Sequence, residues 1–153
     1  MPRYLTVIDS TWNVTHAFAF MSDFSNAERW DPGVLSAQRL DAGEVRVGSS
    51  FDLTVAFAGR KLTLRYVVRS LKAPHQVVFA AATNLLESVD TLTFEERGDA
   101  SRVTYDADLR FKGVAAVANP LLALGFRRIG DRATVVVRER DQPTSAGFGQ
   151  YGE

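Results

Sequence analysis

A chain of 153 residues, 46% hydrophobic and 24% charged, suits one packed domain of the soluble type. Lysine plus arginine and aspartate plus glutamate balance at 18 each, so no global field favours nucleic acid or an anionic membrane. With no cysteine, disulfides, thiolate catalysis and cysteine metal sites are all excluded.

The first ten residues, MPRYLTVIDS, lack a long apolar run, so no signal peptide is expected. No stretch approaches the roughly 18 apolar residues that span a bilayer, which makes a cytoplasmic protein the expectation. Tyr4 to Ser10 alternates and reads as a first strand. Val14, Ala17, Phe18 and Met21 then share a helical face, with Asn13 or Thr15 as the cap. A second short helical turn covers about Asn26 to Trp30. Asp31, Pro32 and Gly33 stop it, because proline and glycine resist helix continuation.

From Val34 the period changes to two. Val34 to Leu40 reads as a strand, and Asp41 to Ser49 as a loop. Phe51, Leu53, Val55 and Phe57 alternate with polar or small residues, as in a half-buried strand. Leu62, Leu64, Tyr66 and Val68 repeat the pattern after a turn at 58–60, which predicts an antiparallel hairpin. Gln76 to Thr83, Glu87 to Glu96 and Val103 to Phe111 are the remaining strands. The last sets Val103, Tyr105, Ala107, Leu109 and Phe111 against the polar face Thr104, Asp106, Asp108 and Arg110.

Asn119 to Arg140 is the longest helical pattern. Leu121, Leu122, Gly125, Phe126, Ile129, Ala133, Val136 and Val137 form one stripe. Asn119 caps it, and Pro120 takes the first helical position, where its missing N–H costs nothing. About 20 helical residues span roughly 30 Å, enough to cross a sheet. Gly125, Gly130 and the β-branched run Val135 to Val137 oppose the helix, but the stripe continues through them. Residues 141–153 have no periodicity and read as a flexible tail after one domain at 3–140.

The expected fold class is α+β. A curved antiparallel sheet of six to seven strands grips the long C-terminal helix, with two short helices after the first strand. A sheet with one apolar face must cover it, and a helix roughly 10 Å wide covers only part. Curving the sheet around the helix leaves a space of the kind that becomes an apolar pocket.

Four segments carry a family resemblance. Ala17 to Val34 (AFAFMSDFSNAERWDPGV) places a helix, an aspartate and a tryptophan before the second strand. Val47 to Leu53 (VGSSFDL) is a glycine followed by an apolar strand. Ser101 to Leu109 (SRVTYDADL) is the last strand, and Asn119-Pro120 begins the gripping helix. Over roughly Arg3 to Arg140 the chain resembles the START-like (SRPBCC) helix-grip superfamily, in its bacterial polyketide cyclase/dehydrase and lipid-transport branch. The resemblance implies a cavity for a small or medium apolar ligand. Some relatives bind lipids, hormones or quinones, and others catalyse cyclisation or dehydration. These motifs specify a fold better than an activity.

Inward strand positions and the helix stripe supply the candidate ligand-binding residues: Phe51, Val55, Phe57, Leu64, Tyr66, Phe79, Leu92, Tyr105, Leu109, Leu122, Phe126 and Ile129. Trp30 is expected near the mouth. Ordinary core packing is the plain alternative for each apolar residue. A buried tyrosine hydroxyl seeks a partner, which makes Tyr66 and Tyr105 more informative. Asp90 is the candidate catalytic residue, and also a candidate ligand anchor. It shares a strand face with Ser88, Leu92 and Phe94. Facing inward, its carboxyl would be raised by burial and suit acid/base work. A register break near Leu86 would turn it to water instead.

His16 and His75 lack carboxylates at ligand spacing, so neither a metal nor a cofactor is expected. Arg127, Arg128 and Arg132 form a solvated helix face that pairs with Asp131 or serves a partner surface. The leading expectation is binding or transport of a small apolar, lipid- or polyketide-like molecule between sheet and helix. The alternative is a polyketide cyclase or dehydratase using Asp90 with Tyr66 or Tyr105 as general acid/base. No phosphate loop, nucleophile elbow or paired-carboxylate motif is present. Exposed edge strands permit a weak homodimer without demanding one.

Overall fold

The computed structural model describes residues 3–57 and 59–113. In chain order these form β1 (Arg3–Ser10), α1 (Val14–Ser22), a three-ten turn (Phe24–Asn26) and α2 (Ala27–Trp30). There follow β2 (Val34–Arg39), β3 (Ser50–Phe57), β4 (Arg60–Lys72), β5 (Gln76–Ala82), β6 (Leu86–Arg97) and β7 (Ala100–Phe111). The expected C-terminal helix from Asn119 and the tail lie outside the described residues.

All seven strands join one antiparallel sheet in the order β1-β7-β6-β5-β4-β3-β2. From β2 to β7 each strand pairs with its chain neighbour, through short connections apart from the loop 40–49 between β2 and β3, the low-cost route for an antiparallel sheet. β1 returns to the far edge and pairs with β7, from Arg3 opposite Asp108 to Ser10 opposite Ser101. Gly98 (φ +62°) sits in the two-residue link between β6 and β7, where a left-handed backbone reverses the chain.

Alternation decides which face is buried. On β7, Val103, Tyr105, Ala107 and Leu109 are buried, and Thr104, Asp106 and Asp108 are half-buried on the other side. On β6 the buried set is Leu86, Ser88, Asp90, Leu92 and Phe94. The β6–β7 register runs unbroken from Leu86 opposite Phe111 to Arg97 opposite Ala100. There is therefore no break near Leu86, and Asp90 points inward. The outer face carries cross-strand ion pairs, such as Arg65 to Asp52 at 2.9 Å and Arg102 to Asp9 at 2.8 Å.

The inner face curls over the two helices and the turn between them. Register shifts between Val34 and Ser36 and between Val68 and Ser70 bend the sheet, as bulges do. Asn13 caps α1 by accepting the His16 N–H at 2.8 Å. The apolar stripe of α1 then packs on the inner face, and Phe18 meets Phe94 edge-on at 5.2 Å. Phe24 is the hub beyond it. It stacks on Phe79 of β5 at 4.0 Å and meets Tyr66 of β4 at 5.2 Å and Phe51 of β3 at 6.3 Å. One ring touching three successive strands requires a concave sheet.

Candidate functional site

A cavity opens on the inner face beside this aromatic hub. Its apolar wall comes from β3 (Leu53, Val55, Ala56), β4 (Leu62, Leu64), β6 (Leu86) and β7 (Ala107, Leu109), with Phe24 and Val34. Its polar groups are Tyr4, Asp31, Tyr66, Ser88, Asp90 and Tyr105.

Four of these polar residues form one buried chain of hydrogen bonds. Tyr66 donates to Ser88 Oγ at 3.1 Å, and Ser88 donates to Asp90 Oδ1 at 2.7 Å. Tyr105 donates to Asp90 Oδ2 at 2.7 Å. Strand pairing explains the assembly. Ser88 and Asp90 lie two apart on β6 and so share a face. Tyr105 stands opposite Leu92 on β7, one diagonal step from Asp90. Ala81 of β5 stands opposite Ser88, and its small side chain leaves room for the Tyr66 ring to reach across.

Asp31 enters from the loop after α2. The Gly33 N–H donates to Asp31 Oδ1 at 2.9 Å, and the Val34 N–H donates to the Asp31 carbonyl at 3.0 Å. This tight turn folds the carboxyl into the protein rather than out to water.

Both carboxyls are perturbed. Burial pushes Asp90 up to about 6, against the hydrogen bonds from Tyr105 and Ser88 that pull it down. Burial likewise pushes Asp31 up to about 7; the Gly33 N–H opposes the rise, and the charge of Asp90 adds to it. Tyr66 and Tyr105 are held well above the ordinary phenol value, first by burial and then by the charge of Asp90. Of the two carboxyls, Asp31 is pushed further toward its protonated form, because the Gly33 N–H alone opposes its burial and the charge of Asp90 adds to the rise. Two buried carboxyls, both raised by burial, thus share the cavity.

Among the residues expected at the site, Val55, Leu64, Tyr66, Asp90, Tyr105 and Leu109 line the cavity. Phe51, Phe79 and Leu92 share the inner face but are fully buried away from it. The first two pack against Phe24, which fills the space before them. Trp30, expected at the mouth, is also buried; the single turn of α2 aims it inward, edge-on to Tyr105 at 5.3 Å. The Phe57 side chain and residues Leu122, Phe126 and Ile129 lie outside what the structure describes. The same holds for Arg127, Arg128 and Arg132.

The sequence marks Asp31 only as a helix stop. An aspartate two residues before a glycine is an Asx-turn former, and its place after a buried tryptophan is the available signal. Ser88 falls on the correct face in the sequence pattern, but nothing there gives it a role. Among the described residues no three histidines, aspartates or glutamates gather as a metal site. His16 is exposed against the Trp12 ring at 4.4 Å, and His75 is exposed in its turn. No helix among the described residues is long and apolar enough to cross a membrane.

Comparison with known proteins agrees with this geometry. Among curated protein sequences none matches the chain significantly. Solved structures do match. A START superfamily protein from Mycobacterium smegmatis is 13% identical with a TM-score of 0.69, over 90% of this chain and 97% of its own. The major latex-like protein 151 of Panax ginseng is 12% identical with a TM-score of 0.63, over 89% and 95%. A protein of Thermus thermophilus is 11% identical with a TM-score of 0.69, over 90% and 92%. At such identities the likeness is one of fold. The sequence profile of one family, described as polyketide cyclase / dehydrase and lipid transport, matches residues 1–139. The chain therefore belongs to the polyketide cyclase / dehydrase and lipid transport family, and it shares its fold with a START superfamily protein.

Proposed function

We propose that this protein binds a small, largely apolar molecule of lipid- or polyketide-like character in the cavity on the inner face of the sheet. The observation that carries the reading is the wall itself. Apolar side chains from β3, β4, β6 and β7 surround one compact group of buried polar atoms. Ligand sites have that composition: apolar area supplies affinity and a few fixed polar groups supply orientation. Affinity would come mainly from apolar burial, about 25 cal/mol per Å² before the costs of association. Membership of a family that includes lipid transport supports the same reading.

Denaturing extraction of freshly purified protein, followed by mass spectrometry, tests it. A stoichiometric compound with an apolar body is the expected result. Nothing recovered, together with no saturable binding of the uncharged probe N-phenyl-1-naphthylamine, would contradict it.

One observation favours a second reading, an enzyme of the cyclase or dehydratase type. Asp90 is buried, bonded to Tyr105 at 2.7 Å and pushed up to about 6, close to the pH at which a general acid/base works well. Asp90 would take a proton from the substrate, and Tyr66 or Tyr105 would steady the charge that develops. Turnover of a polyketide-like substrate that disappears in Asp90→Asn, with the fold retained, supports this reading. Unchanged turnover removes it.

A further inference from the structure

The hydrogen-bonding capacity around Asp90 is one-sided. An ionised Asp90 can only accept, so Ser88 and Tyr105 must both donate to it. Ser88 has then committed its single hydrogen and can only accept from Tyr66. All three hydroxyl hydrogens thus run toward Asp90, and the oxygens of Tyr66 and Tyr105 keep lone pairs to offer a ligand. The titratable groups lining the cavity are Asp31 from the loop after α2, Tyr4 from β1, Tyr66 from β4, Asp90 from β6 and Tyr105 from β7. No lysine, arginine or histidine among the described residues lines it.

Resting on the binding reading above, we propose that the occupant is an apolar molecule whose polar end is a protonated amine, seated between Asp31 and the tyrosine oxygens beside Asp90. An ammonium group brings hydrogens to a site that presents acceptors, and positive charge to a site that holds two carboxyls and no described cation. It also relieves the repulsion through which the charge of Asp90 raises Asp31. A ligand carboxylate would add a third acidic group to the same desolvated space, beside the charge of Asp90. Like charges brought together on binding are a strong means of rejection.

The test uses three probes with one naphthyl body: 2-(2-naphthyl)ethylamine, 2-(2-naphthyl)ethanol and 2-naphthylacetate. Each is titrated calorimetrically into the full chain near neutral pH. The amine is expected to bind at least about tenfold tighter than the alcohol, and the acetate more weakly than either, as one buried charge interaction implies. Asp31→Asn is expected to remove the preference, so that amine and alcohol bind the variant about equally. Asp90→Asn provides the same comparison where the first variant fails to fold. Equal binding of amine and alcohol, or tightest binding of the acetate, overturns the proposal and leaves the binding reading intact. Failure of all three probes removes the binding reading, and this proposal with it.

Discussion

Replacing Asp90 by asparagine should stabilise the protein at neutral pH and do little in mild acid. Asparagine mimics the protonated acid, with one acceptor oxygen and one donor group in nearly the same shape. In the wild type, burial lifts the Asp90 carboxyl from an ordinary value of 3.8 up to about 6. The folded state therefore holds this proton more tightly than the unfolded chain. Its contribution to stability is complete below about pH 4 and falls away as pH rises through about 6. At 1.36 kcal/mol per pH unit, the loss between those limits is about 3 kcal/mol. The variant has no proton to lose. Its stability relative to wild type should therefore climb by about 3 kcal/mol from pH 4 to pH 8. Asp31 adds to the same trend, because removing the Asp90 charge removes one cause of its own rise. Asp41 is held down at about 2, chiefly by its hydrogen bond with Arg39, and cancels because it is common to both proteins. Urea unfolding of both proteins, followed by circular dichroism at several pH values, measures the difference. A difference that stays flat with pH would refute the claim that Asp90 ionises in a buried site.

Three further substitutions probe the same construction. Tyr105→Phe removes the hydrogen bond that pulls Asp90 down, so carboxyl carbon NMR should find Asp90 titrating above about 6; an unchanged or lower midpoint would show that this bond is not formed. Phe24→Ala deletes the ring that stacks on Phe79 at 4.0 Å and bridges three strands, and should cost about 3–5 kcal/mol in denaturant unfolding. A loss below about 1 kcal/mol would mean that the sheet does not close on this residue. Asn13→Ala removes the cap of α1 and should cost about 1 kcal/mol in the same assay, with Asn13→Ser nearly neutral.

Strand positions are largely legible in the sequence because half-buried antiparallel strands write their burial as a period of two. The run from Val103 to Phe111 carries an uninterrupted alternation, whereas β6 sets Ser88 and Asp90 on the buried face and Val89 on the other, which leaves its facing open in the sequence. Ends are less legible. β4 extends from Arg60 to Lys72, beyond the alternating core from Leu62 to Val68, because pairing with β3 and β5 continues past a bulge. Parity along a strand says which face a side chain takes, but not what stands opposite that face. Phe51, Phe79 and Leu92 have the same parity as Leu64, Asp90 and Tyr105, yet they are buried away from the cavity. For Phe51 and Phe79 the difference is made by Phe24, from the three-residue turn after α1. Asp31 is hidden for a related reason. Its burial comes from a local Asx turn packed under the sheet, and turn chemistry in sequence does not say which way the turn faces. The Tyr66 link to Ser88 spans an intervening strand, so only the register of three strands together could reveal it.

The central claim is that the inner face, and not the outer one, holds a small apolar molecule. The most direct measurement is an amide and methyl NMR titration of the full chain with 2-(2-naphthyl)ethanol. The account predicts saturable shifts at Val55, Leu64, Ser88, Ala107 and Leu109, which line the cavity, while Thr63, Thr91 and Asp106 on the opposite parity stay still. Shifts confined to the outer face, or none at saturating probe, would contradict it.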